Sequence, residues 1–256
     1  MNYLIFALFF LNIINYIIPI LTCESLTLAS YNIHGLPRII TLDDTYTRMN
    51  EIANVFNNYN FDIINIQEDW TTYGNNILIN NLPEYIWQQR LNKYIHKYSI
   101  FGSGLLQLSK ITPTNQSQIV FNTRYGYDDM WANKGFQVMR LGYLDIYNTH
   151  MDAGRTSGDK NARLKETMQL IDYINKWSYN RAIIIGGDTN LRSSDNTSYN
   201  LLMNSLNLTE ITNKTSIDKF LYRNSSDQTI TPISVYSIKN NTLSDHNMIY
   251  IDVLIC

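Results

Sequence analysis

The stretch Ile183-Ile184-Ile185-Gly186-Gly187-Asp188-Thr189-Asn190 constrains this chain more than any other. Three consecutive branched apolar side chains read as a buried strand, which commits other elements to covering it. Two glycines then stop the strand, and a carboxylate and an amide follow two positions apart. Asp and Asn both favour turns and helix caps, and that is one reading of the pair. The other is that a rigid strand presents two polar side chains at the lip of a sheet, where binding residues often sit. The octet by itself does not choose.

At 256 residues the chain is long enough for one sizeable core in a single domain. Its formal net charge of -2 argues against a broad basic nucleic-acid surface and against an acidic tail. From Asn2 to Thr22 there is no charged side chain, and Leu, Ile and Phe dominate. This segment reads as a signal peptide, or as an uncleaved signal anchor that would tether the protein to a membrane. The expected organisation is a leader over 1–23 and one catalytic domain over 24–256. The cut would fall after Cys23 or close to it; if it falls after Cys23, only Cys256 remains and the mature chain has no disulfide. Glycosylation sequons begin at Asn115, Asn196, Asn207, Asn213, Asn224 and Asn240, although an asparagine-rich chain produces such triplets by chance.

Taken in order, Leu26 to Ile33 reads as a strand ending in Asn32-Ile33-His34-Gly35. A helix follows over Asp43–Asn57, with Met49, Ile52, Ala53 and Phe56 on one face. Asp62 to Gln67 is a short apolar strand running straight into Glu68, and residues 73–95 read as a helix with connecting turns. Further strands are expected at 105–110, 135–141 and 143–149, the last running into His150. The clearest helix is Arg163–Tyr179, where Leu164, Met168, Ile171 and Ile174 recur at three and four. After the strand at 182–185 come a helix near 198–206 and strands at 217–222, 233–238 and 248–254. Strands in runs with helices between them favour a two-sheet core with helices outside.

One pattern recurs. Strand after strand ends in a residue able to hold a metal or a phosphate: Asn32, Glu68, His150, then Asp188 and Asn190, with Ser244-Asp245-His246 preceding the last strand. The segments Tyr31-Asn32-Ile33-His34-Gly35, Ile66-Gln67-Glu68, Asn148-Thr149-His150, Gly187-Asp188-Thr189-Asn190 and Ser244-Asp245-His246 resemble the endonuclease/exonuclease/phosphatase superfamily, in that family's order. Ile217-Asp218-Lys219-Phe220-Leu221-Tyr222 is similar to the strand whose Asp supports the terminal His. The resemblance implies a four-layer α/β sandwich with two packed mixed sheets flanked by helices. It also implies a divalent cation, Mg²⁺ with Mn²⁺ or another as alternatives, and hydrolysis of a phosphoester.

On that reading Glu68 is the main metal ligand, with Asn32 and, through water, Asp245 beside it. His246 is the candidate general base and Asp218 holds its tautomer. Asp188 orients the nucleophile. His150 and Asn190 bind phosphate oxygens, with His150 also a candidate to protonate the leaving group. His34 departs from the pattern, because several nucleases of the superfamily carry an Asp there that helps bind metal; structural and ligating roles both stay open.

Ala132-Asn133-Lys134-Gly135-Phe136 and Leu108-Ser109-Lys110 are similar to segments of secreted bacterial neutral sphingomyelinases. This adds Lys134 as a phosphate-pairing candidate against its reading as a surface lysine. Asp152 departs from that subgroup, which carries Gln in its place. Tyr125, Tyr127, Met130 and Trp131 suit a lipid headgroup interface, base stacking or burial. The expectation is a secreted, monomeric phosphodiesterase acting on a phospholipid such as sphingomyelin at a membrane surface. The rivals are a DNA or RNA endonuclease and an inositol phosphate phosphatase. A binding protein that has lost catalysis is disfavoured, since Glu68, Asp188, Asn190 and His246 are all present.

Overall fold

The computed structural model describes residues 23–41, 44–91, 102–126, 132–192 and 194–256. The expected leader, apart from Cys23, and Tyr127, Met130 and Trp131 of the aromatic cluster lie outside the described residues.

Strands β1 (Glu24–Asn32), β2 (Ile63–Gln67), β3 (Trp87–Arg90), β4 (Leu106–Ser109), β11 (Ile230–Ile238) and β12 (Met248–Ile255) form a six-stranded sheet ordered β11-β12-β1-β2-β4-β3. The second six-stranded sheet contains β5 (Asn115–Val120), β6 (Gly135–Leu141), β7 (Leu144–His150), β8 (Ala182–Asp188), β9 (Thr209–Glu210) and β10 (Asp218–Arg223), in the order β5-β6-β7-β8-β10-β9. The helices are α1 (Arg38–Thr41), α2 (Thr45–Tyr59), α3 (Thr72–Asn80), α4 (Ser157–Trp177) and α5 (Asn196–Leu206).

Alternation along the strands builds the layers. Leu28, Ile63, Ile251 and Val253 of the first sheet meet Ile146, Ile184 and Phe220 of the second in a shared core. The opposite face of the first sheet, with Ala29, Tyr31 and Ile64, packs on Met49, Ile52 and Phe56 of α2 and Leu78 of α3. The opposite face of the second, with Tyr147, Ile183 and Ile185, packs on Leu170 and Ile174 of α4 and Leu202 and Leu206 of α5. The isoleucines of β8 are therefore apolar on both sides because a sheet covers one face and helices the other. The result is the expected four-layer α/β sandwich.

Topology decides where the polar strand ends go. β1 and β2 are parallel, and so are β7 and β8, so Asn32, Glu68, His150 and Asp188 emerge at corresponding ends of the paired strands. β10 runs antiparallel to β8 and β12 antiparallel to β1, so it is their beginnings, Asp218 and the segment before Met248, that reach the same edge. Near that edge the inter-sheet contact turns polar. Gln67 Nε2 donates to Asn148 Oδ1 at 2.8 Å, and Asn148 Nδ2 donates to Ile66 O at 3.0 Å, pinning β2 against β7.

Four expectations need correction. The glycines do not stop β8, which runs on to Asp188. A β-carbon on Gly187 would stand 2.1 Å from Thr149 O, so glycine is there to let two backbones approach. The stripe read on the long helix is displaced: Met168 is exposed, and the buried face carries Arg163, Glu166, Thr167 and Leu170. Strands β3, β5 and β9 were not anticipated, because Trp87–Arg90 and Asn115–Val120 are largely polar. Finally, Cys23 and Cys256 form a disulfide in the full chain, their Cα atoms 4.3 Å apart, a pairing the conditional reading of a lone Cys256 after cleavage did not foresee. The antiparallel β1–β12 pair brings the start of one strand beside the end of the other, at the end of the sandwich away from the polar residues. Among the described residues, no helix is long and apolar enough to cross a membrane.

Candidate active site

Asn32 is where the two sheets meet. Fully buried, its Nδ2 donates to Glu68 Oε1 at 2.9 Å and to Asp188 Oδ2 at 3.1 Å, while its Oδ1 accepts the His34 N–H. One amide thus orients a carboxylate from each sheet. Glu68 adopts a left-handed backbone conformation, φ 61°, immediately after β2. Its carbonyl accepts from Gly35 N and Trp70 N, both at 2.9 Å, and Trp70 Nε1 reaches its Oε2 at 3.4 Å.

Asp188 ends β8 with its side chain enclosed. Its Oδ1 accepts the Asn190 N–H at 3.0 Å, and Asn190, also left-handed at φ 51°, donates Nδ2 to Met151 O at 3.0 Å. The loop after β7 and the loop after β8 are therefore tied by one amide. His246 Nδ1 pairs with Asp218 Oδ2 at 2.9 Å, and its Nε2 lies 3.8 Å from Asp188 Oδ2. Ser244 sets that histidine: its hydroxyl donates to Asn32 O at 2.7 Å and accepts the His246 N–H at 3.1 Å. On the other side, His150 Nε2 stands 3.6 Å from Asp188 Oδ2 and 3.9 Å from Glu68 Oε1, with Lys134 Nζ 2.7 Å from the same nitrogen. Lys134 also lies 5.7 Å over the Trp70 ring. It is buried, so the surface-lysine reading is wrong for this residue.

The structure thus gathers Asn32, Glu68, Lys134, His150, Asp188, Asn190, Asp218 and His246. Asp245 sits at the rim with its side chain largely exposed, 3.3 Å from His34 Nδ1. Sequence reasoning did not assign roles to Ser244, Trp70 or Arg48. Arg48, on α2, donates to the carbonyls of Ile33, His34 and Leu243 and so ties together two loops of the site. A buried arginine at a helical core position is a readable signal, but its targets are backbone atoms that sequence does not reveal.

Charge is graded across the site. Burial lowers the His246 pKa, but the bond to Asp218 and the charges of Asp218, Asp188 and Asp245 outweigh it, leaving the imidazole raised to about 9. Burial and the neighbouring Asp218 charge push Asp188 up to about 7. His150 is held well below the ordinary imidazole range by burial, then by Lys134 and His246. These surroundings favour a neutral His150, so the cationic group on that side is Lys134 rather than an acidic imidazole.

Glu68 Oε1 and Asp188 Oδ2 both accept from Asn32 Nδ2, so one carboxylate from each sheet faces the same amide, a hard-oxygen pairing that fits a divalent cation. Asp188, Asp218 and His246 also offer ligand atoms within 4.8 Å of one another. There, however, Asp218 is already bonded to His246 and Asp188 is enclosed. Glu68, partly exposed, is the better-placed ligand.

The family model for the Endonuclease/Exonuclease/phosphatase family matches residues 29–246. No curated protein matches significantly. Solved structures similar in fold include sphingomyelinase C from Streptomyces griseocarneus, 17% identical with a TM-score of 0.69, covering 90% of this chain and 99% of that one. A beta toxin variant from Staphylococcus aureus with bound magnesium ions is 15% identical with a TM-score of 0.70, covering 89% and 99%. TDP2 from D. rerio, complexed with a single-strand DNA product, is 17% identical with a TM-score of 0.69, covering 90% and 99%.

Proposed function

The chain belongs to the endonuclease/exonuclease/phosphatase family, hydrolases of phosphoester bonds, and from that premise we propose that it is a divalent-metal-dependent phosphodiesterase of phospholipid headgroups. One observation carries the reading: Asn32 bridges Glu68 of one sheet and Asp188 of the other, beside a His246–Asp218 pair at 2.9 Å.

Glu68, with Asn32 beside it, would hold the cation, Mg²⁺ first and Mn²⁺ or another divalent ion as alternatives. Such an ion, when bound, neutralises charge developing on the phosphate oxygens. Asp188 orients the attacking water, whose proton passes to the Asp188–His246 pair. The carboxylate and the imidazole stand 3.8 Å apart, so the base is assigned to the pair rather than to His246 alone. Asp218 fixes the ring through Nδ1 and leaves Nε2 facing Asp188. Lys134, against His150, presents positive charge to phosphate or leaving-group oxygen. Asn190 spends one amide N–H on Met151 O and can offer the other to phosphate.

Phospholipid is favoured by the Ala132–Phe136 segment, which sets Lys134 beside His150, and by the formal net charge of -2. The likeness to a sphingomyelinase C is consistent with it. A nucleic-acid substrate stays as the second reading, because the DNA-bound TDP2 is as similar in fold. The Cys23–Cys256 disulfide supports maturation in an oxidising compartment, hence secretion or a membrane-tethered form, with any cleavage ahead of Cys23. The sequon asparagines are exposed, which leaves glycosylation sterically open.

The test is a panel of sphingomyelin, lysophospholipid, inositol phosphate and plasmid DNA, each with and without Mg²⁺. Mg²⁺-dependent phosphocholine release is expected. Plasmid nicking without phosphocholine release would move the assignment to a nuclease.

A further inference from the structure

Trp70 follows Glu68 by two residues and has no part in the hydrolytic scheme, yet its surroundings hold it in one place. The left-handed turn at Glu68 brings the Trp70 N–H back to the Glu68 carbonyl at 2.9 Å. Asp69, between them, is buried and tied down. Arg90 Nε and Asn75 Nδ2 donate to its Oδ2 at 2.6 and 2.7 Å, and its own N–H donates to Gly104 O at 2.8 Å. Gly104 has φ 65°, and a β-carbon on it would stand 2.7 Å from two carbons of the indole. Glycine leaves the space that the ring fills, so the loop after β2 and the loop before β4 are shaped around one side chain.

Held in this way, Trp70 touches both chemical halves of the site. Its Nε1 donates to Glu68 Oε2 at 3.4 Å, the oxygen left over when Asn32 Nδ2 takes Oε1. That is long for an N–H···O bond, so it steers the carboxylate without tying the oxygen up. The indole ring lies 5.7 Å from Lys134 Nζ and 6.2 Å, centroid to centroid, from the His150 imidazole. A buried ammonium has lost water, and the face of an indole replaces part of that solvation. The same ring limits where the Lys134 side chain can go, with Nζ 2.7 Å from His150 Nε2.

We propose that Trp70 is a positioning residue that acts through Glu68 and Lys134 at once. Its N–H sets the Glu68 carboxylate for the cation, and its ring seats the Lys134 ammonium where it meets phosphate or leaving-group oxygen. The two tasks use different atoms of one side chain, so substitution separates them. Phenylalanine keeps a ring and loses the N–H; leucine loses both. The inference rests on the metal-dependent reading above and adds the residue that couples its cation half to its phosphate half.

The experiment pairs calorimetric Mg²⁺ affinity with the rate on an unspecific chromogenic phosphodiester across Mg²⁺ concentrations, for the full parent chain, Trp70→Phe and Trp70→Leu. Trp70→Phe is expected to weaken Mg²⁺ binding about tenfold, while kcat at saturating Mg²⁺ stays close to the parent value. Trp70→Leu should share that loss of affinity and also lower kcat at saturating Mg²⁺ by about tenfold. Gly104→Ala, which pushes on the ring, should lower kcat in the parent chain and much less in a Trp70→Leu background. Unchanged Mg²⁺ affinity in Trp70→Phe, or equal kcat for Trp70→Phe and Trp70→Leu, would overturn the assignment. The milder Trp70→Phe keeps the first comparison decisive even where Trp70→Leu does not fold. If the parent chain binds no Mg²⁺ and hydrolyses through chelator, the metal-dependent reading falls, and the Glu68 half of this inference with it. The Lys134 half is still decided by kcat of the two variants.

Discussion

Asp218 bonds His246 from the side away from Asp188, and it decides what that imidazole can do. The pair is part-buried and short, so Asp218→Asn leaves shape intact and removes the charge that fixes the ring and stabilises its cation. Turnover should fall by about a hundredfold or more with little change in KM. Stability provides a second readout. The folded pKa of His246, about 9, lies above its ordinary value of 6.5. The pair therefore stabilises the fold fully below pH 6.5 and loses that contribution as pH rises through 9. Urea unfolding of the metal-free protein should show this decline in the parent chain and a flatter profile in Asp218→Asn; parallel profiles would contradict it. At this scale the residues that end strands, Asn32, Glu68, His150 and Asp188, were legible because their chemistry interrupts an apolar pattern. Ser244 and Arg48 were less so. Their partners, Asn32 O and the Ile33, His34 and Leu243 carbonyls, are backbone atoms brought near only by the fold.

Among the elements, β8 carries the most constraint. Gly187 lets β7 and β8 approach until a β-carbon would collide with the Thr149 carbonyl, and Asp188 is the next residue. Gly187→Ala should cost clearly more than the roughly 1 kcal/mol of an ordinary glycine substitution at positive φ, and should lower activity with it. Gly142→Ala is the matched control, because its φ is 51° and nothing lies within 4 Å of the added carbon. Equal melting shifts for the two variants would show that the close approach does not matter. Strand positions were readable from β-branched runs, and the 135–141 strand was placed residue for residue. The face of α4 was not. Periodicity assigned Met168 to the core, whereas Arg163 is fully buried, its guanidinium donating to the Asp152 and Ala153 carbonyls and to Asp195. A helix that buries a charge to hold a loop defeats a rule based on hydrophobicity.

For the whole molecule, the disulfide and the site sit at opposite ends of the sandwich, so they should separate experimentally. Cys256→Ser should lower unfolding free energy by about 2–4 kcal/mol while leaving kcat near the parent value. Loss of activity in a variant that remains folded would contradict that separation. Leader and disulfide competed for one residue in the sequence, since a cut after Cys23 removes the partner of Cys256. Only the antiparallel pairing of β1 with β12 brings the two cysteines together. The layers themselves were legible because β8 is apolar on both faces. The central claim is that two sheets contribute halves of one metal-dependent site. The most direct measurement is the initial rate of hydrolysis of an unspecific chromogenic phosphodiester, with Mg²⁺ and with chelator, by the parent chain, Glu68→Gln from one sheet and Asp188→Asn from the other. Mg²⁺-dependent hydrolysis by the parent chain is expected, with loss of at least about a hundredfold in each variant. Hydrolysis that survives chelation, or that either variant retains in full, would contradict it.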